Sequence, residues 1–445
     1  ALPHYSPHGI AETKTNYSFH DAIIDFNKKL KEKLLNTNSV YVFDFFKFVI
    51  KHGENNIFNF QNYLFGDIKI SLDYIPYLAN EFMPYIISFL GLTKKCIVVD
   101  LDNTLWGGIV GEDGFDGIRL GPQPPGNAFV EFQKYLKALS QRGILLAINS
   151  KNNFDDAIQV IREHPFMILT ESDFSCIKIN WNNKASNMQE ISKELNIGLD
   201  SFVFFDDDPI NRELIRESMP EITTPELPHD PSLYSEVIQS LHDFSTFQIT
   251  SEDTNRGQMY LEQKQRTESQ NSISDISEFL KKLNLEIEIK KTNSFTIPRI
   301  SQLTLKTNQF NLTTKRYHED QIKKFSEDKN ILIGCAQIRD KFGDNGITGV
   351  FIVEKTNYDE WFLDTFLLSC RVMGREAEKA ILYFILNEAK NNNIKRLKAK
   401  FIPTKKNKPI ENFLPDCQFY EKDGVWIYNL DKPFNMPDFL TLSEE

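Results

Sequence analysis

The sequence predicts an α/β protein: a parallel sheet in its middle, a small α/β region ahead of it and a separate α+β domain behind it. Three observations predict this. Short, continuously apolar runs alternate with amphipathic helical stretches between about residues 95 and 206, the pattern of a parallel sheet covered on both faces. After about residue 285 several strands come in succession before one long helix, the pattern of an α+β domain. The chain has 445 residues, enough at roughly 150 residues per domain for two to four domains.

The elements follow in order. In residues 1–92, "SFHDAIIDFNKKLKEKLL" has a helical period with Ser18 in the capping position. "SVYVFDFFKFVI" reads as a strand leading into a helix. Tyr74–Leu92 is the most apolar stretch, but Asn80, Glu81 and two prolines make it a core helix rather than a membrane span. His4, His8 and His20 read as surface or structural residues. In residues 93–249, "CIVVD", "ILLAINS", "FMILT" and "SFVFFDD" read as strands. "AFVEFQKYLKALSQRG" is a helix with Phe129, Phe132, Leu136 and Leu139 on one face, ended by Gly143. "FDDAIQVIREH" and "KASNMQEISKELN" are two more. Residues 250–284 read as a solvated linking helix followed by "ISEFLKKLN". In residues 285–445, "LEIEIKK", "ILIGCAQIRD", "ITGVFIVEK" and "WFLDTFLLSC" are strands, "GREAEKAILYFILNEAKNN" a helix and "RLKAKFI" a strand.

Composition narrows the function. Hydrophobic residues are 41% and charged residues 25%, the balance of a globular protein. A net charge of −11 and a pI near 5.4 argue against a nucleic-acid partner. The five cysteines are odd in number, widely spaced and without a C-x-x-C pair, which predicts a reducing cytoplasm rather than a disulfide framework or a zinc site. No signal peptide or membrane segment is expected. The first residue is Ala1 rather than Met, so the natural start is expected upstream.

The chemistry lies in the middle region. Asp100 and Asp102 stand in D-L-D-N-T immediately after "CIVV". Two carboxylates at i and i+2 past a strand can converge on a hard cation such as magnesium. A carboxylate held there can also attack phosphorus. Alone, such a pair is as readily a solvated turn. Here Ser150 ends the next strand, Lys184 opens a later helix, and Asp206, Asp207 and Asp208 end the last strand. Adjacent carboxylates repel one another unless a cation lies among them.

These residues resemble the haloacid dehalogenase (HAD) superfamily of phosphotransferases over about residues 94–225. The resemblance implies a Rossmann-like parallel sheet, Mg2+ as cofactor and Asp100 as the nucleophile that forms an aspartyl-phosphate. It implies that Asp102 is the general acid/base and a metal ligand through its main-chain carbonyl. Asn103, Thr104, Ser150 and Lys184 would bind phosphate; Asp207, with Asp206, would complete the metal site. The insertions leave room for a hairpin flap, "LWGGIVGEDGFDGIRLG", and little else, so an uncapped site suited to a large substrate or carrier protein is expected.

"KKCIVVDLDNTLWGGIVGEDGFDGIRLG", "FFDDDPINRELIR", "RISQLTLKTNQFNLTTKRY" and "DTFLLSCRVMGREAEKAI" extend the resemblance, over about residues 93–430, to the FkbH-like proteins. That family takes 1,3-bisphosphoglycerate, dephosphorylates it and loads the glyceryl group onto an acyl carrier protein. Residues 1–92 are similar to the latter half of its N-terminal domain. The last domain resembles the GNAT acyltransferase fold. A splayed strand pair is therefore expected to hold a pantetheine arm, with a helix start receiving a phosphate. Arg371, Gly374 and Arg375 partly fit the GNAT pyrophosphate loop, but Glu376 stands where Gly or Ala is expected. Asn308 and Gln309 belong to a donor-rich run with Lys306, Asn311, Lys315 and Arg316, which lines an acyl site or satisfies a loop. Cys370 precedes Arg371 and Arg375, whose charge would favour its thiolate; it is an acyl acceptor or a buried strand cysteine.

The sequence thus predicts a magnesium-dependent, FkbH-like glyceryl transferase and phosphatase of the cytoplasm, partnered by an acyl carrier protein and a small phosphorylated substrate. The alternatives are a HAD phosphatase of a small metabolite with a regulatory last domain, and a non-catalytic scaffold.

Overall fold

The computed structural model describes residues 8–35, 37, 40–271 and 276–445. Contacts divide it into two units. One takes in the residues up to Ile86 with His318–Asp320; the other holds Ile87–Tyr317 and Gln321–Glu445. His4 lies outside the described residues, and His8 and His20 are exposed.

The first unit is helical where α/β structure is expected. The Phe19–Leu34 helix opens on Ser18, whose hydroxyl and Asp21 form a reciprocal capping box. Residues 40–44 form no strand. Asp44 instead caps the Phe45–His52 helix by accepting the Lys47 N–H. Among the described residues of this unit, the only β pairing is the bridge between Phe58 and Ile70. The Ile75–Phe89 helix is not a core helix: only Ser88 is buried, and Tyr77, Phe82 and Ile86 are exposed. No helix among the described residues is long and apolar enough to cross a membrane.

The second unit contains two sheets. The first has four parallel strands, β1 (Cys96–Val99), β2 (Leu145–Ser150), β3 (Phe174–Ile179) and β4 (Phe202–Phe205), in the order β3-β2-β1-β4. Alternate side chains enter separate cores. Ile97, Val99, Ile148 and Phe205 pack with the helices α1 (Gly126–Gln141) and α2 (Phe154–Glu163). Val98, Ala147 and Phe204 pack with α3 (Lys184–Leu195) and α4 (Pro209–Ser218). Both faces are therefore buried, and β1, β4 and the first four residues of β2 read as unbroken apolar runs, while β3 carries Ser175 and Lys178. The exception is "FMILT", which is not a strand. Gln133 Oε1 accepts the Ile168 N–H at 2.9 Å and that of Leu169 at 3.3 Å, satisfying backbone that would otherwise seek a ladder. The strand begins later, at Phe174.

A helix α5 (Arg256–Asn271) leads to the second sheet. It is not solvated as expected: Met259, Tyr260 and Arg266 are buried. The sheet comprises β5 (Leu285–Lys291), β6 (Phe310–Asn311), β7 (Ile331–Asp340), β8 (Gly343–Glu354), β9 (Glu360–Leu368), β10 (Arg396–Ala399), β11 (Tyr420–Lys422), β12 (Val425–Asn429) and β13 (Leu440–Glu444). Among its helices are α6 (Ile297–Lys306) and α7 (Ala377–Asn391). Their apolar sides enter opposite cores: α7 meets Phe351 and Phe366, α6 meets Val350 and Leu367. The predicted class, a Rossmann-like parallel sheet followed by a separate α+β domain, is borne out.

β9 and β10 run parallel from Glu360–Arg396 to Leu363–Ala399 and then part. The gap expected to take a pantetheine arm is filled by the chain itself. Here β6 pairs antiparallel with Leu367 and Leu368. Leu312 bridges the gap, donating to Phe366 O at 3.1 Å and accepting from Ile402 N at 2.8 Å.

The fully buried Asp340 carboxylate holds two buried guanidinium groups, Arg266 at 2.8 Å and Arg375 at 2.9 Å. Removing that charge leaves Arg375 without a carboxylate and Arg266 with only Glu262, at 3.5 Å. Asp340→Asn should lower unfolding stability by about 3–5 kcal/mol, read as a fall in the urea midpoint; an unchanged midpoint would show that this pairing is not what fixes α5 and the start of α7.

Candidate active site

The register of the parallel sheet assembles the carboxylates. Val99 lies opposite Phe205, so the next residues, Asp100 and Asp206, emerge abreast at the C-terminal edge. Asp100 N–H extends the pairing to Phe205 O at 2.9 Å. Oxygens of Asp100, Asp206 and Asp207 lie within 4.8 Å of one another. Functional groups at this edge follow from every strand pointing the same way.

Lys184 is the counter-charge. It is 1% exposed, and its Nζ reaches Asp100 Oδ1 at 2.7 Å and Asp206 Oδ2 at 3.0 Å. It also donates to Asn149 O at 2.6 Å, while Asn149 Nδ2 donates back to Lys184 O at 2.9 Å. Burial alone would favour the neutral amine, but the two carboxylates outweigh it and raise the Lys184 pKa. Asp206 is raised by burial and by Asp100, against the pull of Lys184. Asp207 is pushed up to about 7 by burial, Asp100 and Asp206. Such a crowded, hard-oxygen donor set fits a divalent cation.

Asp102 turns its carboxylate away from this cluster. Oδ1 accepts from Trp106 Nε1 at 2.9 Å and Val110 N at 3.0 Å; Oδ2 accepts from Asn152 Nδ2 at 2.8 Å. Burial, with Asp100 adding to it, raises the Asp102 pKa despite these bonds, which suits a group that must carry a proton. Trp106 and Val110 belong to the expected flap, closed by paired main-chain bonds between Gly107 and Arg119.

Ser150 ends β2 and is buried. Asn103 and Thr104 are engaged in the scaffold. Asn103 Oδ1 accepts the Gly108 N–H at 2.9 Å, which fixes the flap. Thr104 is fully buried, and its hydroxyl accepts the Asp207 N–H at 3.2 Å, which fixes the third carboxylate. Neither side chain points to a phosphate role. Sequence reasoning missed Trp106 and Asn152; an indole four residues after an aspartate was the available signal for the first.

The GNAT-like loop departs from expectation. Arg375 bonds Asp340, Gln263 Oε1 and Arg371 O, so it holds the fold rather than offering itself to a ligand. Gly374 has a φ of +77° and open space around it. Glu376, at φ 62°, caps α7 and pairs with Lys379 at 2.8 Å. The donor-rich run divides. Lys306, Asn308 and Gln309 line a cavity with Cys370 and Arg371. Lys315 pairs with buried Asp364, Arg316 bonds the Thr304 and Thr307 carbonyls, and Asn311 Oδ1 accepts the Thr314 N–H, all satisfying the loop.

Residues 8–87 match the family described as FkbH, N-terminal domain. The N-terminal part of the protein BF1531 from Bacteroides fragilis, containing a phosphatase domain complexed with Mg, is similar at 38% identity and a TM-score of 0.50. The match covers 54% of this chain and 64% of that one, so the chain spans just under two thirds of that protein's length. Two further structures match about a third of this chain. Ard1 from Thermoplasma volcanium is 14% identical with a TM-score of 0.25, covering 32% of this chain and 97% of its own. Spermidine N-acetyltransferase from Vibrio cholerae is 11% identical with a TM-score of 0.27, covering 34% and 98%. A comparison with curated proteins finds no match. Fold and site define an architecture: a four-stranded parallel sheet with a carboxylate cluster at its C-terminal edge, joined to a mixed α+β domain. The expected resemblance to FkbH-like proteins is borne out by the N-terminal family match.

In metal-free protein, Asp207 binds its proton more tightly folded than unfolded, so stability should fall as pH rises from about 4 through about 7. Asp207→Asn should flatten that slope, and Mg2+ should raise the wild-type melting temperature most at the alkaline end. Equal slopes in both proteins across a metal-free pH series would contradict this electrostatic picture.

Proposed function

We propose that the protein is a Mg2+-dependent, FkbH-like transferase and phosphatase. It takes 1,3-bisphosphoglycerate, removes phosphate and loads the glyceryl group onto the phosphopantetheine thiol of an acyl carrier protein. The observation that carries the phosphatase half is the Asp100, Asp206 and Asp207 cluster held by buried Lys184. The Mg-bound phosphatase relative supports the metal. We take the cytoplasm as its setting, in keeping with five unpaired thiols.

In this reading an Asp100 oxygen attacks the phosphorus of the phosphomonoester. The bond from phosphorus to the leaving alkoxide breaks, and Asp102 supplies the proton that alkoxide needs. Water then attacks the aspartyl-phosphate, giving its proton back to Asp102 and releasing inorganic phosphate. Ser150 and Lys184 hold the phosphoryl oxygens. Mg2+, held by Asp100, Asp206, Asp207 and the Asp102 carbonyl, would offset the charge that gathers there.

The acyl half is assigned to Cys370. Its thiolate attacks the acyl-phosphate carbonyl, the C–O bond to phosphate breaks, and phosphate leaves with the electron pair. The pantetheine thiol then takes the acyl group from the Cys370 thioester and returns a proton to the enzyme thiolate. Cys370 is the only cysteine of the five that is not buried, which supports this role. It lines the same cavity as Lys95, which precedes β1, whereas Asp100 follows β1. Five residues of strand put roughly 16 Å between those ends, too far for one small substrate to touch both. A carrier arm could visit them in turn.

The filled gap beside β9 favours a second reading, a HAD phosphatase of a small phosphorylated metabolite with a regulatory last domain. Mass spectrometry of the protein and candidate carriers after incubation with 1,3-bisphosphoglycerate separates the two. Asp100→Asn should lower phosphate release by several powers of ten. Cys370→Ala should abolish carrier loading while phosphate release at Asp100 persists. Normal loading by Cys370→Ala would remove the enzyme thioester from the scheme.

A further inference from the structure

The cavity that Cys370 lines has a volume of about 290 Å³. It lies where the N-terminal edge of the parallel sheet meets the GNAT-like domain. Lys95 precedes β1, Asp200 and Ser201 precede β4, Lys306 ends α6, and Cys370 follows β9. Seven lysines and arginines line it against one carboxylate, Asp200. None of the carboxylate-site residues at the opposite edge takes part.

The cations are unevenly satisfied. Lys406 takes Asp200, and Arg256 takes Asp253 together with the Gly143 carbonyl at 2.8 Å. Arg299 bonds Gln302 and the Ile347 carbonyl. Lys95 Nζ reaches only the Lys306 carbonyl, at 3.4 Å. The Lys306 ammonium has no hydrogen-bond or ion-pair partner among the described residues, and Lys405 is exposed at the rim. Gln309 Oε1 is buried without a partner; turning its amide presents two donors instead. Burial and the neighbouring Arg256, with Lys95 and Arg299 adding to it, push the Lys306 pKa down to about 7 despite Asp253. Burial likewise lowers Lys95. Uncompensated like charges drawn together in a confined space call for an anion.

We infer that this cavity is a second phosphate site, on the opposite edge of the sheet from the carboxylates, holding a phosphate group beside Cys370. Two sources share that chemistry: the acyl phosphate of a small substrate and the phosphate of a phosphopantetheine arm. The link to acyl transfer rests on the function proposed above; the binding of phosphate does not.

The test follows iodoacetamide alkylation of Cys370 in the full chain by mass spectrometry, without Mg2+. Inorganic phosphate at ten times its dissociation constant should slow alkylation about tenfold. Asp100→Asn, which silences the carboxylate site, should be protected equally. Lys306→Met, and Lys306→Gln should the first not fold, should lose the protection, with melting curves confirming the fold. Removing an uncompensated buried cation should leave the melting temperature unchanged or higher. No protection in the wild type, or equal protection in the Lys306 variants, would overturn the site. Loss of protection in Asp100→Asn would also overturn it, by tracing the effect to the carboxylates. Acetyl phosphate and phosphopantetheine then distinguish the sources. An acetyl group gained on Cys370, with phosphate released from the broken C–O bond, supports the acyl-phosphate source. Protection by phosphopantetheine at lower concentration than by inorganic phosphate supports the carrier arm. If phosphate protects but neither an acetyl adduct nor carrier loading forms, the anion site stands and the transferase reading falls.

Discussion

Lys184 is the residue on which the middle of the protein depends. Its ammonium is almost wholly buried between Asp100 and Asp206. Two carboxylates brought abreast by strand register would repel one another in a site from which water is largely removed. The lysine makes that register tolerable, and Asn149 fixes the lysine from both ends. Asp207 remains beyond its reach, and burial together with the residual repulsion of Asp100 and Asp206 raises its pKa. One cation built into the chain thus neutralises part of the cluster and leaves the remainder suited to a second, exchangeable one.

The α+β half solves a different problem. Parting β9 from β10 exposes strand edges, and an open edge invites pairing with anything extended. Here β6 and Leu312 take up those hydrogen bonds. The arginines of the following loop are likewise occupied, Arg375 by Asp340 and Arg371 by Ser369 and the Met259 sulfur. What remains open is the cavity against the parallel sheet, where cations outnumber their partners. The anion site proposed above therefore lies at the junction of the two halves and not in the strand gap.

Much of this was legible in the sequence. β1 and β4 declare themselves because both faces of each are buried, leaving no polar position to blur the run, and β2 does so over Leu145–Ile148. The aspartates stand where those runs stop, so their meeting at one edge follows from parallel direction alone. "FMILT" misled because its backbone is satisfied by Gln133, about 35 residues earlier, which no local pattern reveals. Thr104 and Asn103 look like ligands by position, yet each is spent on a main-chain N–H. Arg375 fits a loop pattern until Asp340 claims it. The cavity was the least legible feature: Lys95 and Lys306 lie 211 residues apart and meet only through packing of the two halves.

Whether Asp100 is the nucleophile of a site completed by a cation is decided by a crystal structure with Mg2+ and beryllium fluoride. Trifluoroberyllate should be bonded to an Asp100 oxygen and contacted by Ser150 and Lys184, with the cation touching Asp100 and Asp207. A fluoride bound elsewhere, or a cation that leaves Asp100 and Asp207 untouched, would contradict it.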